Sequence, residues 1–184
     1  MEENTAPAPS LVNHAAKWGG ILAIATILVV LLIYAVDYTM MAGFTFLLII
    51  LAVGIGFVIY AGINYRNSIG GYIPFGKAFL HGLLVFAVAG LISTGFNFIM
   101  YFVIDPDLPQ NLGDAIILKT EENMANFGAP QEAIDETIAK MREDMPKSFT
   151  AFGLIKNYFT ALIMYAVLSL ITGVIVKKNQ PEVM

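Results

Sequence analysis

Four polar side chains that could take part in chemistry lie within long apolar stretches of the sequence. They are His81, Asn97, Lys156 and Asn157. Polar groups are costly in lipid, so each is a candidate for a role in transport or catalysis. Each also has a structural alternative. His81 would reach headgroups or water at the membrane surface, Asn97 would hydrogen-bond a neighbouring helix, and Lys156 would extend its stem to the interface.

Lys156 also has two candidate acidic partners. Asp37 follows the first apolar stretch and Asp105 follows the third. An ion pair between Lys156 and either carboxylate would tie helices together, which is a structural role. The sequence has no run of intramembrane acids and no arginine ladder, so the signal for a pump, voltage sensor or ion channel is weak.

A second candidate site is the connection between the second and third apolar stretches. Two bases, two adjacent glycines and an aromatic residue meet there: Arg66, Gly70, Gly71, Tyr72 and Lys77. The two basic side chains and the N–H groups of the glycines could bind a lipid phosphate or the acidic groups of a protein partner. The alternative is a loop that anchors the chain at the headgroups.

Signatures of soluble enzymes are missing from the sequence. There is no P-loop, no G-x-S-x-G elbow and no H-E-x-x-H motif. With His14 and His81 as the two histidines and no cysteine, we expect no metal site and no disulfide. Asp105 and Asp107 could form a carboxylate site, but the Asp-Pro-Asp-Leu-Pro run is typical of a helix end followed by a turn. We therefore predict no catalysis, no cofactor and no nucleic-acid partner.

The elements that must position these residues are membrane helices. The chain is 58% hydrophobic and 13% charged, against about 25% charged residues in soluble domains. Four apolar stretches have about the length that a helix needs to cross a bilayer. They lie at residues 18–36, 44–63, 79–104 and 153–176. The sequence therefore predicts an all-α membrane protein with four transmembrane helices in residues 17–184, after a disordered tail at residues 1–16.

Every predicted span contains small residues four positions apart. The pairs are Gly19 and Ala23, Ala52 and Gly56, Ala89 and Ser93, Gly90 and Thr94, and Ser169 and Gly173. This spacing lets helix backbones approach closely, and it favours a compact bundle. It does not distinguish contacts within the chain from contacts between subunits.

The long polar segment between the third and fourth spans predicts an amphipathic helical hairpin at residues 109–146. Apolar residues recur at helical spacing in its two halves, and Gly128 and Pro130 mark the turn between them. The apolar residues are Leu112, Ile116, Met124 and Phe127, then Ile134, Ile138, Met141 and Met145. These faces could pack against each other or the spans, lie on lipid, or bind another protein.

The basic residues near the spans predict the orientation of the chain. One side would carry Lys17, Arg66, Lys77, Lys177 and Lys178, whereas the connection at residues 37–43 has no base. Because short cytoplasmic flanks are enriched in Lys and Arg, both termini should be cytoplasmic and the hairpin extracytoplasmic.

Two sequence runs resemble a known family. Residues 70–79 read Gly-Gly-Tyr-Ile-Pro-Phe-Gly-Lys-Ala-Phe, and residues 104–108 read Ile-Asp-Pro-Asp-Leu. Together with the four spans, they resemble the domain of unknown function 4199 family of small bacterial membrane proteins, over nearly the whole chain. The resemblance implies a location in the bacterial inner membrane and no known activity. It also suggests a role beside polyprenyl-phosphate glycosyltransferases in envelope glycan assembly.

These observations lead to two functional hypotheses. The first is a non-catalytic inner-membrane protein that serves as a small accessory subunit of an envelope complex. The second is a small oligomeric transporter or lipid-carrier translocase. Both imply contact with membrane lipids and with either a membrane-protein partner or further copies of the chain.

Overall fold

The structure, a computed structural model, describes residues 9–180 and is all-α. Its α-helices are α1 (Leu11–Asp37), α2 (Phe44–Ser68), α3 (Phe75–Ile99), α4 (Leu108–Asn126), α5 (Gln131–Ser148) and α6 (Ala151–Val176). A 3-10 helix, Tyr38–Ala42, follows α1, and a π-helical turn, Met100–Ile104, continues α3. Between residues 9 and 180, four helical stretches are long and apolar enough to cross a membrane: Leu11–Ala42, Phe44–Ser68, Phe75–Ile104 and Ala151–Val176. The predicted helical class and the four apolar spans are confirmed.

The first helix begins earlier than the sequence suggested. Ser10 accepts a hydrogen bond from the backbone N–H of Asn13 through its side chain, at 3.2 Å, and one from His14 through its carbonyl, at 3.0 Å. This is the arrangement of a helix N-cap. The prediction that residues 1–16 form a tail is therefore wrong from Leu11 onward, and its residues 1–8 lie outside the described residues.

The chain divides into two compact units. Of the described residues, the first unit contains residues 9–24, Ala52–Leu91 and residues 161–180, and the second contains Ala25–Leu51 and Ile92–Thr160. The core of the first unit is formed by Ala15, Leu22, Ala23, Val58, Val85, Phe86 and Ala89. These residues come from α1, α2 and α3, so the unit is held together by helices that are distant in sequence.

Glycines bring the helices of the first unit into close contact. A Cβ atom on Gly19 of α1 would lie 2.7 Å from Val88 Cβ and 2.8 Å from the carbonyl oxygen of Val85, both on α3. A Cβ atom on Gly90 of α3 would lie 2.6 Å from the hydroxyl oxygen of Tyr165 on α6. Because real Cβ contacts are longer than this, a side chain at position 19 would require α1 and α3 to separate, and a side chain at position 90 would require the ring of Tyr165 to move.

In the second unit, α4 and α5 pack against each other. Ile117 of α4 is buried against Ile134 and Ile138 of α5, with Met124, Ala129, Met141 and Met145 around them. The sequence allowed the apolar faces of these two helices to pack against each other, against the spans, on lipid or on another protein. In the structure they pack against each other. The chain reverses at Gly128, which has φ +74, and the N–H of Ala129 donates to the carbonyl of Met124 at 3.0 Å.

Three of the predicted face residues, Leu112, Ile116 and Phe127, do not join this helix pair. Phe127 lies after the end of α4 and is 89% exposed, so the prediction that it belongs to the apolar face is wrong. Leu112 and Ile116 pack instead with Met100 and Leu108, in a cluster that also includes Tyr34 and Phe149. The N-terminal half of α4 therefore packs on the turns that end α1 and α3.

Candidate functional site

Two histidines that are 67 residues apart in sequence meet in the first unit. His14 Nδ1 on α1 lies 2.9 Å from His81 Nε2 on α3. The other ring nitrogen of His14, Nε2, lies 3.1 Å from Asn64 Oδ1 and accepts the Nε1–H of Trp18 at 3.1 Å. The ring of Tyr65 stacks on His81 with an interplanar angle of 6° and 5.0 Å between the ring centroids. We call these five residues the histidine cluster.

Hydrogen-bond accounting shows that the histidine cluster is incompletely satisfied. If Trp18 donates to His14 Nε2, then His14 Nδ1–H donates to His81 Nε2, and His81 carries an unpaired Nδ1–H. If His14 Nε2–H donates to Asn64 instead, then His81 Nε2–H donates to His14, and His81 Nδ1 is an unpaired acceptor. In either arrangement of neutral rings, His81 Nδ1 lacks a partner among residues 9–180.

The position of His81 differs from the prediction. A histidine that reaches headgroups or water would be exposed, but His81 is 0% exposed because His14 and Tyr65 cover its ring. The contact between His14 and His81 was not predicted, because His14 was expected to lie in a disordered tail. One local signal was present: His14 and Trp18 are four residues apart, which puts them on one face of a helix.

The connection between α2 and α3 forms the second candidate site. Gly70 and Gly71 have φ +96 and +85, the left-handed conformation that ends many helices. The N–H of Gly71 donates to the carbonyl of Arg66 at 2.9 Å, and Arg66 Nη1 donates to the carbonyl of Val176 at 3.0 Å. The prediction that the Gly71 N–H is available to an anion is therefore wrong. The Arg66 side chain bonds to the last turn of α6.

The residues after α6 complete this site. The N–H of Ile73 donates to the carbonyl of Lys178, and the N–H of Lys178 donates to the carbonyl of Ile73, both at 2.9 Å. A groove of about 470 Å³ lies between the two segments. We call it the turn groove, and it is lined by Tyr65, Ile69, Tyr72, Ile73, Pro74, Lys77, Lys178, Asn179 and Gln180. Tyr72 and Lys77 thus remain at the predicted site.

A comparison with protein families matches almost the whole chain. The model of the family described as protein of unknown function (DUF4199) covers residues 17–178. The chain belongs to this family. No curated protein and no solved structure matches it. The region shared with DUF4199 contains His81, Tyr65 and the paired Ile73 and Lys178, whereas His14 lies outside it.

The remaining predicted residues of this DUF4199 protein belong to the second unit. Asn97 lines a cavity of about 140 Å³ in the second unit with Thr26 and Ser93. Asn157 Nδ2 donates to the carbonyl of Ser148 at 3.2 Å, which ties the start of α6 to the end of α5. Both positions are consistent with packing.

The predicted ion pairs of Lys156 do not form. Asp37 accepts hydrogen bonds from the N–H and hydroxyl of Thr39, and Asp105 accepts one from the hydroxyl of Tyr34 at 2.8 Å. Asp37 thus bonds to a residue nearby in sequence, and Asp105 bonds to a residue on another helix. Within the described part of the chain, Lys156 makes no ion pair. That part also contains no group of three or more His, Asp or Glu residues that could hold a metal ion.

Proposed function

We propose that this DUF4199 protein is a non-catalytic integral membrane protein that serves as a small accessory subunit of a larger membrane complex. Four long apolar helices support the membrane location. The observation that carries the accessory role is a face of α2 with small residues at Ala52 and Gly56, which residues 9–180 leave uncovered. Small residues at this spacing are typical of close contacts between membrane helices.

That face contains Ala52, Gly56 and Tyr60, which are four residues apart and exposed. A Cβ placed on Gly56 would have no atom of another described residue within 4 Å, whereas Gly19 and Gly90 are in tight contact with neighbouring helices. Tyr60 is 60% exposed. A helix of another protein could therefore approach the backbone of α2 closely, with Tyr60 at the edge of the contact.

The polar residues support the absence of catalysis. Apart from His81 Nδ1, the ring nitrogens of His14 and His81 bond to members of the histidine cluster, and Asp105 accepts hydrogen bonds from Tyr34, Asp107 and Leu108. These hydrogen bonds hold helices or turns of this chain together. A catalytic constellation requires such groups to converge on a space that a substrate can enter.

The experiment is purification from native membranes in a mild detergent, followed by mass spectrometry of the intact complex. We expect a partner at fixed stoichiometry, and we expect Gly56→Leu to reduce its retention at least tenfold. Gly20→Leu is the matched control, since Gly20 is also a helical glycine with no atom within 4 Å of its Cβ position. Retention that is equal in the two variants would contradict the proposal.

The proposed setting is envelope glycan assembly at the bacterial inner membrane, with both termini in the cytoplasm. Identification of the partner as a polyprenyl-phosphate glycosyltransferase would support this setting, and a partner from another process would contradict it. The orientation is tested by single cysteines at Ser68, Gln131 and Asn179, all exposed positions. An impermeant reagent should label only the Gln131 site in intact cells, and labelling at Ser68 without Gln131 would reverse the orientation.

The histidine cluster favours a second candidate, a small oligomeric transporter or lipid-carrier translocase. A buried titratable pair shared by α1 and α3 is a typical feature of proton pathways. The purified protein would then be a homo-oligomer that retains a polyprenyl lipid. In vesicles containing a pH-sensitive dye, it would move protons, and His81→Phe would abolish the movement. A stoichiometric partner and no proton movement would exclude this candidate.

A further inference from the structure

We propose that the turn groove binds the phosphate group of a membrane lipid. The proposal concerns the groove alone and does not depend on the accessory role, because its test requires only the purified chain and lipid. It is carried by the structure of the groove, the charges along it and its position at the ends of apolar helices.

The backbone gives the turn groove a defined shape. The two hydrogen bonds between Ile73 and Lys178 hold the segment after α6 against the connection that precedes α3. Ile73 is 0% exposed, and the hydrogen bond from Arg66 to Val176 holds the last turn of α6. Lys178 is therefore kept beside the turn, although it lies outside the helices.

The charge of the turn groove is positive. Within the described part of the chain, Lys77 and Lys178 are its two charged lining residues, and none of its lining residues is acidic. Among residues 9–180, neither lysine forms an ion pair. Lys178 Nζ lies 5.3 Å from the centroid of the Tyr72 ring, which steadies the ammonium group through a cation–π contact. Asn179 and Gln180 add amide donors for the oxygens of an anion.

The other lining residues favour a lipid over a soluble anion. Ile69, Tyr72 and Pro74 form an apolar wall next to the lysines. The lysines could contact a phosphate, and the apolar wall could contact the hydrocarbon chain of the same lipid. The groove also lies where α2 ends and α3 begins, and both belong to apolar stretches long enough to cross a membrane. Ammonium groups at that level are attracted to anionic headgroups.

The first test measures lipid retention by the full chain with intact-protein mass spectrometry. The probes are phosphatidic acid, phosphatidylglycerol, zwitterionic phosphatidylcholine and inorganic phosphate. We expect both anionic lipids to be retained in preference to phosphatidylcholine, and inorganic phosphate to bind far more weakly. Strong binding of inorganic phosphate with no preference among the lipids would overturn the assignment to a lipid.

The matched variants are Lys178→Gln and Lys177→Gln. The two lysines are neighbours with the same charge, but only Lys178 lines the groove. We expect Lys178→Gln to weaken retention of phosphatidic acid about fivefold, and the double variant Lys77→Gln/Lys178→Gln to weaken it at least about tenfold, because each lysine contributes to anionic-lipid binding. Lys177→Gln should have less than half the effect of Lys178→Gln.

A third variant separates loss of binding from loss of structure. Lys77→Arg/Lys178→Arg keeps both charges and should retain the lipid within about twofold of the native chain. If the double Gln variant and the native chain retained equal amounts of lipid, or if Lys177→Gln and Lys178→Gln had the same effect, the proposal would be wrong.

Discussion

In the first unit, helices distant in sequence are joined by glycines and a buried histidine pair, whereas in the second unit α4 and α5 are joined by an apolar stripe across one turn. Gly19 and Gly90 allow close helix contacts because they have no side chain. Ile117, Ile134 and Ile138 join α4 and α5 through their buried side chains. The first kind of contact requires fixed backbone distances, while the second tolerates small shifts between two helices.

The polar contacts differ in the same way. His14 and His81 bond to each other inside the first unit, away from solvent. Ion pairs on the hairpin, such as Lys140 with Glu136 and Lys119 with Glu122, link residues three or four positions apart on exposed surfaces. A buried hydrogen bond is costly to break, whereas an exposed ion pair contributes little to stability. We therefore predict that substitutions at these contacts of the first unit reduce stability, whereas substitutions on the hairpin surface have little effect.

The largest effect is expected from Gly19→Leu. Its side chain would collide with Val88 and with the backbone of Val85, so α1 and α3 would have to separate. We expect destabilisation of about 3 kcal/mol or more, at the upper end of the range for overpacking. Thermal unfolding in detergent measures this. The control is Gly20→Leu, which enters open space and should unfold near the native temperature. Equal melting temperatures for the two variants would remove the proposed role of close contacts.

His81→Phe should have the next largest effect. Phenylalanine keeps a ring against Tyr65 but leaves a nitrogen of His14 without its partner, at a cost of about 1–3 kcal/mol. A double-mutant cycle with His14→Phe checks the interpretation. If the two rings stabilise each other, the double variant will be less destabilised than the sum of the single ones. An additive result would mean that the pair is not coupled.

Asp105→Ala tests a polar contact of the second unit. The Asp105 carboxylate accepts hydrogen bonds from the hydroxyl of Tyr34 and from the backbone N–H groups of Asp107 and Leu108. We expect a loss of about 1 kcal/mol, because two of these donors lie at a turn where water can replace the carboxylate. Asp107→Ala is the control, since the Asp107 side chain makes no capping hydrogen bond. A larger effect for Asp107 would contradict this assignment.

The smallest effect is expected from Lys140→Gln on α5. The hydrogen bond from Lys140 Nζ to Glu136, at 2.6 Å, and the attraction between the charges lower the pKa of Glu136 and raise the pKa of Lys140. The contribution of Glu136 is lost as pH falls through its pKa, and that of Lys140 as pH rises through its own. Because both groups are exposed, we expect no measurable change in melting temperature at neutral pH. A clear decrease would show that the hairpin surface is not tolerant.

By itself, the sequence determined the helical class, the four apolar spans and the hairpin. Span length and helical periodicity depend on residues close together in the chain, so they can be read before folding. The turn at Gly128 is local in the same sense, because the residue after a helix end needs a positive φ. The end of the tail was misjudged because Asn13, His14 and Lys17 interrupt the apolar residues at the start of α1, and because Ser10 was not recognised as the cap of this helix.

Only the tertiary structure decided which residues share a site. His14 meets His81, Lys178 pairs with Ile73, and Arg66 donates to Val176, although each pair is distant in sequence. These contacts depend on how closely the helices approach and how they are rotated. A pair of small residues allows a close approach, but it does not determine which helix approaches. The small-residue pairs therefore predicted that helices pack closely, but the structure decided that Gly19 faces α3 and that Gly56 has no neighbour within 4 Å among the residues that the structure describes.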